Sequence, residues 1–338
     1  MKLSLHIGTE KSGTTTIQEF LRLNHQVLRQ AGVYIPKTLG PSNHRKLPAM
    51  FANDTVLDDF FRHQGLLEKA DRVTAKQRWR AEFRAEMRSH QCNHVVISSE
   101  HLQSRLREAE DIAKLAAYLS EIFEKINVYV YMRNPLETAV SLYSTALKSG
   151  GVLPDVPPPA NPYWNNIVNH KQTLLRWQAN FSNARIVPRL FQVSDFVNGD
   201  LIQDFIAAVG LPPDAPYQQP ARANESLNLV GIELLRRINH AVPEFLPNGQ
   251  ANSQRDLIRK HFSKHFNQGR KFLPKPETVT AYQETFAESD EWVRQTFFPN
   301  RTHLFTPKTY TTTTKDTLNA QELDQVADMI ASICMQNT

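Results

Sequence analysis

Short apolar runs bounded by turn residues alternate with stretches of helical periodicity along the first part of this chain. Leu3 to Ile7, Val95 to Ile97 and Ile126 to Met132 are runs of strand length, and Arg185 to Pro188 is a fourth candidate. Each of the first three is followed by a helical pattern. From Thr14 to Gln30, Ile17, Phe20, Leu21 and Leu28 recur at helical spacing. After Arg133, Asn134 can cap a helix, Pro135 suits its first position and Glu137 completes a capping-box pattern. Strands alternating with helices predict βαβ units, hence an α/β chain with a central, doubly wound parallel sheet flanked by helices.

From Leu201 onward the pattern is mostly helical, including Leu227 to Ile238 and Arg255 to Phe266. This helix-rich C-terminal half is expected to pack on the same sheet. Gly150 to Pro162, with its run PDVPPPANP, reads as an irregular loop. The threonines Thr311 to Thr314 precede a final helix, Ala320 to Cys334. One domain over 1–306 and a linker with a C-terminal helix over 307–338 follow.

Composition adds little that is specific. Of 338 residues, 41% are hydrophobic and 22% charged, which is globular and not disordered. The net charge of +5 favours anionic ligands but is too mild to indicate nucleic acid. The two cysteines, Cys92 and Cys334, form no CxxC pair and support neither a disulfide framework nor a thiolate zinc site. The start, MKLSLHIGTEKSG, is no signal peptide, and no apolar run is long enough to span a bilayer. A cytoplasmic protein without stable membrane insertion is expected.

The chemistry begins at Leu5-His6-Ile7-Gly8-Thr9-Glu10-Lys11-Ser12-Gly13-Thr14-Thr15-Thr16, between a strand and a helix. In such a turn, backbone N–H groups converge and the helix dipole favours negative charge. Gly8 and Gly13 permit close approach, and Thr14, Thr15 and Thr16 offer hydroxyls. The loop is suited to a phosphate or a phosphosulfate. Gly8 and Gly13 have Walker A spacing, yet Thr14 stands where that loop carries its lysine, and Lys11 comes before the second glycine. A P-loop-type nucleoside-triphosphate kinase is therefore the alternative reading.

The order Lys11-Ser12-Gly13-Thr14-Thr15 resembles the 5′-phosphosulfate loop of sulfotransferases that use 3′-phosphoadenosine-5′-phosphosulfate (PAPS). That resemblance implies a P-loop-like three-layer fold. It also implies that Lys11 sits by the bridging oxygen of the leaving group, while Ser12, Gly13, Thr14, Thr15 and Thr16 bind the 5′-phosphate. In the same family a strand ends in an arginine, and a serine on the following helix joins it at the 3′-phosphate. Arg133 and Ser141 match that spacing, and Asn134-Pro135 resembles the family's helix start. An arginine at the carboxyl end of a parallel strand also faces the ligand crevice, and its planar fork suits phosphate.

Sulfuryl transfer needs a base for the acceptor hydroxyl, and the family uses glutamate or histidine. Val95 to Leu102 supplies Glu100 and His101 at the end of a strand. Neighbours on an extended chain point oppositely, so only one is expected to face the crevice. Ser98-Ser99-Glu100 resembles bacterial carbohydrate sulfotransferases and favours Glu100, with His101 second. PAPS, leaving as 3′,5′-diphosphoadenosine, is the implied co-substrate and a carbohydrate hydroxyl the implied acceptor. A non-catalytic nucleotide-binding protein is the third class.

His6 is expected to be a core histidine. The other histidines lack metal-ligand spacing, and no catalytic metal is expected. On the helix Ala75 to Arg88, Trp79, Phe83 and Met87 form an apolar stripe beside Lys76, Arg80, Arg84 and Arg88. The basic stripe, partly neutralised by Glu82 and Glu86, is expected to be a solvated face, with an anionic polysaccharide the other possibility. Tyr163 and Trp164 are candidates for stacking on a sugar behind the Gly150–Pro162 loop. Arg222 to Ser226 is a candidate for completing the nucleotide site.

Overall fold

The computed structural model describes residues 1–90, 92–221, 226–246, 252–310 and 318–335. The chain divides into two compact units. One comprises Met1–Asn134, Asn165–Ala223 and Glu288–Phe305, the other Pro135–Trp164, Asn224–Ala287 and Thr306–Thr338.

The first unit is built on a five-stranded parallel sheet: β1 (Lys2–His6), β2 (Val33–Tyr34), β3 (His94–Ser98), β4 (Lys125–Met132) and β5 (Ala184–Leu190). Their order is β2-β3-β1-β4-β5, with Leu5 beside Ile97 on one flank and Val128 on the other. The two-residue β2 is too short to leave a period in the sequence, and the prediction missed it. Alternation along the strands divides the side chains between two cores. Leu3, Leu5, Ile7, Val95, Ile97, Ile126, Val128, Val130 and Met132 join one cluster, with Trp79, Phe83, Leu115 and Trp177 from helices. Val96, Tyr129 and Tyr131 join the other, with Ile17, Phe20, Phe205 and Val209. Helices on both faces of a parallel sheet make a three-layer α/β unit, as the sequence pattern predicts.

The predicted helix Thr14–Gln30 is broken. It runs Thr14–Leu23 and resumes at His25–Gln30. Asn24 explains the break, because its side chain satisfies other backbone: Nδ2 donates to Phe20 O at 2.9 Å and Gln218 O at 2.8 Å, and Oδ1 accepts from Gln218 N at 2.7 Å. The basic stripe also changes. Lys76 on the helix Lys69–Ser89 is 1% exposed, with Nζ donating to Ala52 O at 2.6 Å and Asp54 Oδ1 at 2.7 Å. Arg80 lies over Phe51 and Arg84 over Tyr118, so these cations serve their own unit.

After β5 the elements are helical among the described residues. The second unit holds the helices Pro135–Lys148, Leu229–Ala241, Gln254–His265 and Ala320–Cys334. Buried Arg255 ties helix ends together. Its guanidinium donates to Leu147 O, Lys148 O and Val242 O at 3.1 to 3.2 Å and to Asn239 Oδ1 at 2.6 Å. Carbonyls at a helix end lack intrahelical partners, so a cation there is favourable twice over. The last helix starts with a capping box between Asn319 and Glu322, and Arg270 bonds both Glu322 oxygens at 2.6 Å. Among the described residues, no helix is long and apolar enough to cross a membrane. Thr311 to Thr314 and Arg222 to Glu225 lie outside the described residues.

Candidate functional site

The loop after β1 continues the register of the sheet. Ile7 N donates to Tyr129 O at 3.0 Å and Thr9 N to Tyr131 O at 2.8 Å, while Tyr131 N donates to Gly8 O at 2.6 Å. The loop therefore leaves from the centre of the sheet, at the carboxyl ends of β1 and β4, where open parallel sheets hold their ligands. Three positive φ angles then turn it tightly: 92° at Gly8, 65° at Lys11 and 77° at Gly13. Gly13 is the N-cap of the helix Thr14–Leu23, which has no side-chain cap and no acidic residue in its first turn. A Cβ on Gly13 would lie 2.4 Å from Leu201 Cδ2 and 2.7 Å from a Phe191 ring carbon. The left-handed φ of Gly13 favours glycine there.

Two hydroxyls of the loop are committed to its own backbone. Thr9 Oγ1 donates to Tyr131 O at 3.1 Å, and Ser12 Oγ donates to Thr9 O at 2.6 Å. Ser12 is fully buried, Thr14 is buried, Thr16 is half-buried and Thr15 is exposed. The loop thus presents peptide N–H groups and threonine hydroxyls at a helix N-terminus, while the Ser12 side chain staples the turn.

Arg133 follows β4 directly. Its Nη1 donates to Lys11 O at 3.3 Å, and its guanidinium lies over Phe191, 5.7 Å from the ring centroid. Its own carbonyl accepts from His170 Nε2 at 2.8 Å. A carbonyl only accepts, so His170 carries its proton on Nε2, and burial lowers its pKa to about 4. Burial likewise lowers the Lys11 pKa, with the Arg133 charge adding to the shift and Glu10 and Glu100 opposing it. Ser141 lies in the second unit, buried on the helix Pro135–Lys148, with its Oγ 3.3 Å from Ser226 Oγ.

The structure brings Glu100 and His101 to one side, contrary to the alternation expected of an extended chain. β3 ends at Ser98, and Glu100 is already helical at φ −63° and ψ −21°, capping the short helix His101–Arg105. Helical neighbours differ by about 100° in direction and not 180°. His101 Nε2 stands 3.8 Å from Glu100 Oε1. Burial raises the Glu100 pKa, opposed by hydrogen bonds to its carboxylate. Burial together with Arg45 and Arg105 lowers that of His101 to about 2. An imidazole so hard to protonate is a weak proton acceptor, whereas a carboxylate with a raised pKa is a stronger one.

Sequence reasoning missed the groups around Glu100. Gln18 Nε2 donates to Glu100 Oε2 at 2.6 Å, and Asn43 Nδ2 donates to Oε1 at 3.2 Å. Beside them, Arg105 stands 3.6 Å from Glu10, 3.8 Å from Asp58 and 3.9 Å from Asp59, and Arg45 is ion-paired to both aspartates. Gln18 had a legible signal, a polar residue within the apolar stripe of Ile17, Phe20 and Leu21. Asn43 and Arg45 had none, since they come from an aperiodic stretch brought in by the fold. His6 is a core histidine, fully buried, with Nδ1 2.8 Å from Ser98 Oγ. Trp164 is buried on the helix Pro162–Val168, which removes its face from sugar stacking, while Tyr163 is half-buried.

No protein-family model matches this chain, and no curated protein matches it. Among solved structures the chain is similar to a sulfotransferase from Alicyclobacillus acidocaldarius. That likeness has 14% sequence identity and a TM-score of 0.39, over 66% of this chain and 85% of the other.

Proposed function

We propose that this protein transfers a sulfuryl group from PAPS to a hydroxyl of an acceptor, a carbohydrate in our reading, in the cytoplasm. One observation carries the proposal: a single tight loop, with Lys11 ahead of Gly13, has Arg133 bonded to its Lys11 carbonyl and the Glu100 backbone close enough to Gly8 to leave no room for a side chain there. An anion-binding turn, a second cation and a half-buried carboxylate thus come together around one loop. The fit to an anionic nucleotide rests on a helix start without a side-chain cap or an acidic residue and on the Lys11 and Arg133 charges.

In this assignment Lys11 offsets charge on the departing 3′,5′-diphosphoadenosine, and the loop from Ser12 to Thr16 holds the 5′-phosphate. Arg133 takes the 3′-phosphate. Glu100 accepts the acceptor's proton, and the opposed pKa shifts of Glu100 and His101 favour it over its neighbour. Bound PAPS supplies the activated sulfuryl group. The transfer resembles phosphoryl transfer, in which positioning and electrostatics supply most of the acceleration.

Ligand-dependent melting tests the nucleotide. 3′,5′-Diphosphoadenosine without metal should stabilise the protein, by about 2.7 kcal/mol at a hundredfold excess over Kd, and AMP and ATP much less. An equal response to AMP would remove the 3′-phosphate assignment. A response to ATP alone would favour the kinase that the Gly8–Gly13 spacing suggests.

A further inference from the structure

Both oxygens of the Glu100 carboxylate are engaged by uncharged amides from separate parts of the chain. Gln18 holds Oε2 at 2.6 Å from the helix whose N-terminus is the loop, and it is 5% exposed. Asn43 holds Oε1 at 3.2 Å from the segment before the helix Lys46–Phe51. The Asn43 amide has a defined orientation: Ser99 Oγ donates to its Oδ1 at 2.8 Å, which turns Nδ2 toward Glu100.

The segment carrying Asn43 is itself fixed to the end of β3. His44 N donates to Ser98 O at 3.1 Å, and Ser98 N donates to His44 Nδ1 at 2.9 Å. The second bond requires an unprotonated Nδ1.

We propose that Gln18 and Asn43 are positioning residues that clamp the Glu100 carboxylate, one amide on each oxygen, and that Gln18 joins this clamp to the nucleotide loop through their common helix. The inference rests on the reading of Glu100 as the base. The clamp holds the carboxylate ionised and aimed, since a hydrogen bond to the charged form favours it. The charged and titratable groups beside Glu100 are Glu10 and Lys11 from the loop, Arg45 next to Asn43, and His101 and Arg105 on the following helix.

The test reads the Glu100 carboxyl directly by 13C NMR of protein labelled at the glutamate side-chain carboxyl, with Glu100→Gln as the assignment control. Gln18→Met keeps the volume and removes the donor, and should raise the Glu100 midpoint by about one pH unit. Asn43→Ala should raise it by less, because its bond is longer. Should Gln18→Met not fold, Asn43→Ala decides alone. Unchanged midpoints in the folded variants would overturn the clamp. Turnover from PAPS should fall about tenfold or more in Gln18→Met, its acid limb following the NMR midpoint, with affinity for 3′,5′-diphosphoadenosine unchanged. A shifted midpoint in a protein that transfers no sulfuryl group would refute the proposed function and support the clamp.

Discussion

Gly8 leaves no room for a side chain against Glu100: a Cβ on Gly8 would lie 2.9 Å from both Cα and Cβ of Glu100. The first glycine of the loop therefore lies close beside the backbone of the residue that carries the carboxylate.

Gly8→Ala should therefore cost more than the strain of its φ of 92°. Gly65 isolates the difference, having a φ of 68° with nothing within 4 Å of an added Cβ. Gly65→Ala should cost about 1 kcal/mol, the usual penalty of a left-handed residue. Gly8→Ala should exceed it by about 1–3 kcal/mol, the cost of overpacking against rigid backbone. Urea titrations of both variants measure this, and equal losses would mean that Glu100 yields freely.

Lys11→Ala should leave the fold intact and lower turnover by about 10²-fold or more, because a contact to the leaving group acts mainly in the transition state. Circular dichroism and single-turnover transfer from PAPS check the two halves. A folded variant with normal turnover would disprove the role given to Lys11.

Glu100→Gln should retain 3′,5′-diphosphoadenosine binding and lose about 10²–10⁴ in turnover, the usual contribution of a general base. His101→Ala should cost far less, since burial and two arginines hold the imidazole pKa at about 2 and leave it a poor base. The opposite ranking would exchange the two roles.

Stability should fall as the solution is acidified below the ordinary histidine range. Burial lowers the pKa of His44, His94 and His170 to about 4 and of His6 to about 3. Between those values and about 6.5, the unfolded chain binds protons that the folded chain refuses. Stability therefore rises with pH across that window, by up to about 1.4 kcal/mol per pH unit for each histidine. Melting temperatures from pH 4 to 8 should rise to near pH 7 and then level. A flat profile would show that these imidazoles protonate in place.

The sequence by itself determined the sheet and the loop. β1, β3, β4 and β5 fall on the predicted runs within a few residues, because the central strands β3 and β4 are buried almost throughout and so leave apolar runs in the sequence. Gly13 was legible for a related reason: it caps the helix Thr14–Leu23 in the left-handed conformation that favours glycine. Tertiary structure alone decided the break at Asn24, whose side-chain bonds reach Gln218. It also decided the burial of Lys76, whose partners Ala52 and Asp54 lie far back in the chain. Most of all it decided the surroundings of Glu100, where Gln18 and Asn43 meet a carboxylate distant in sequence. Periodicity and turn chemistry are properties of neighbours along the chain. A hydrogen bond across the fold leaves no period, so it becomes visible only when the chain has closed on itself.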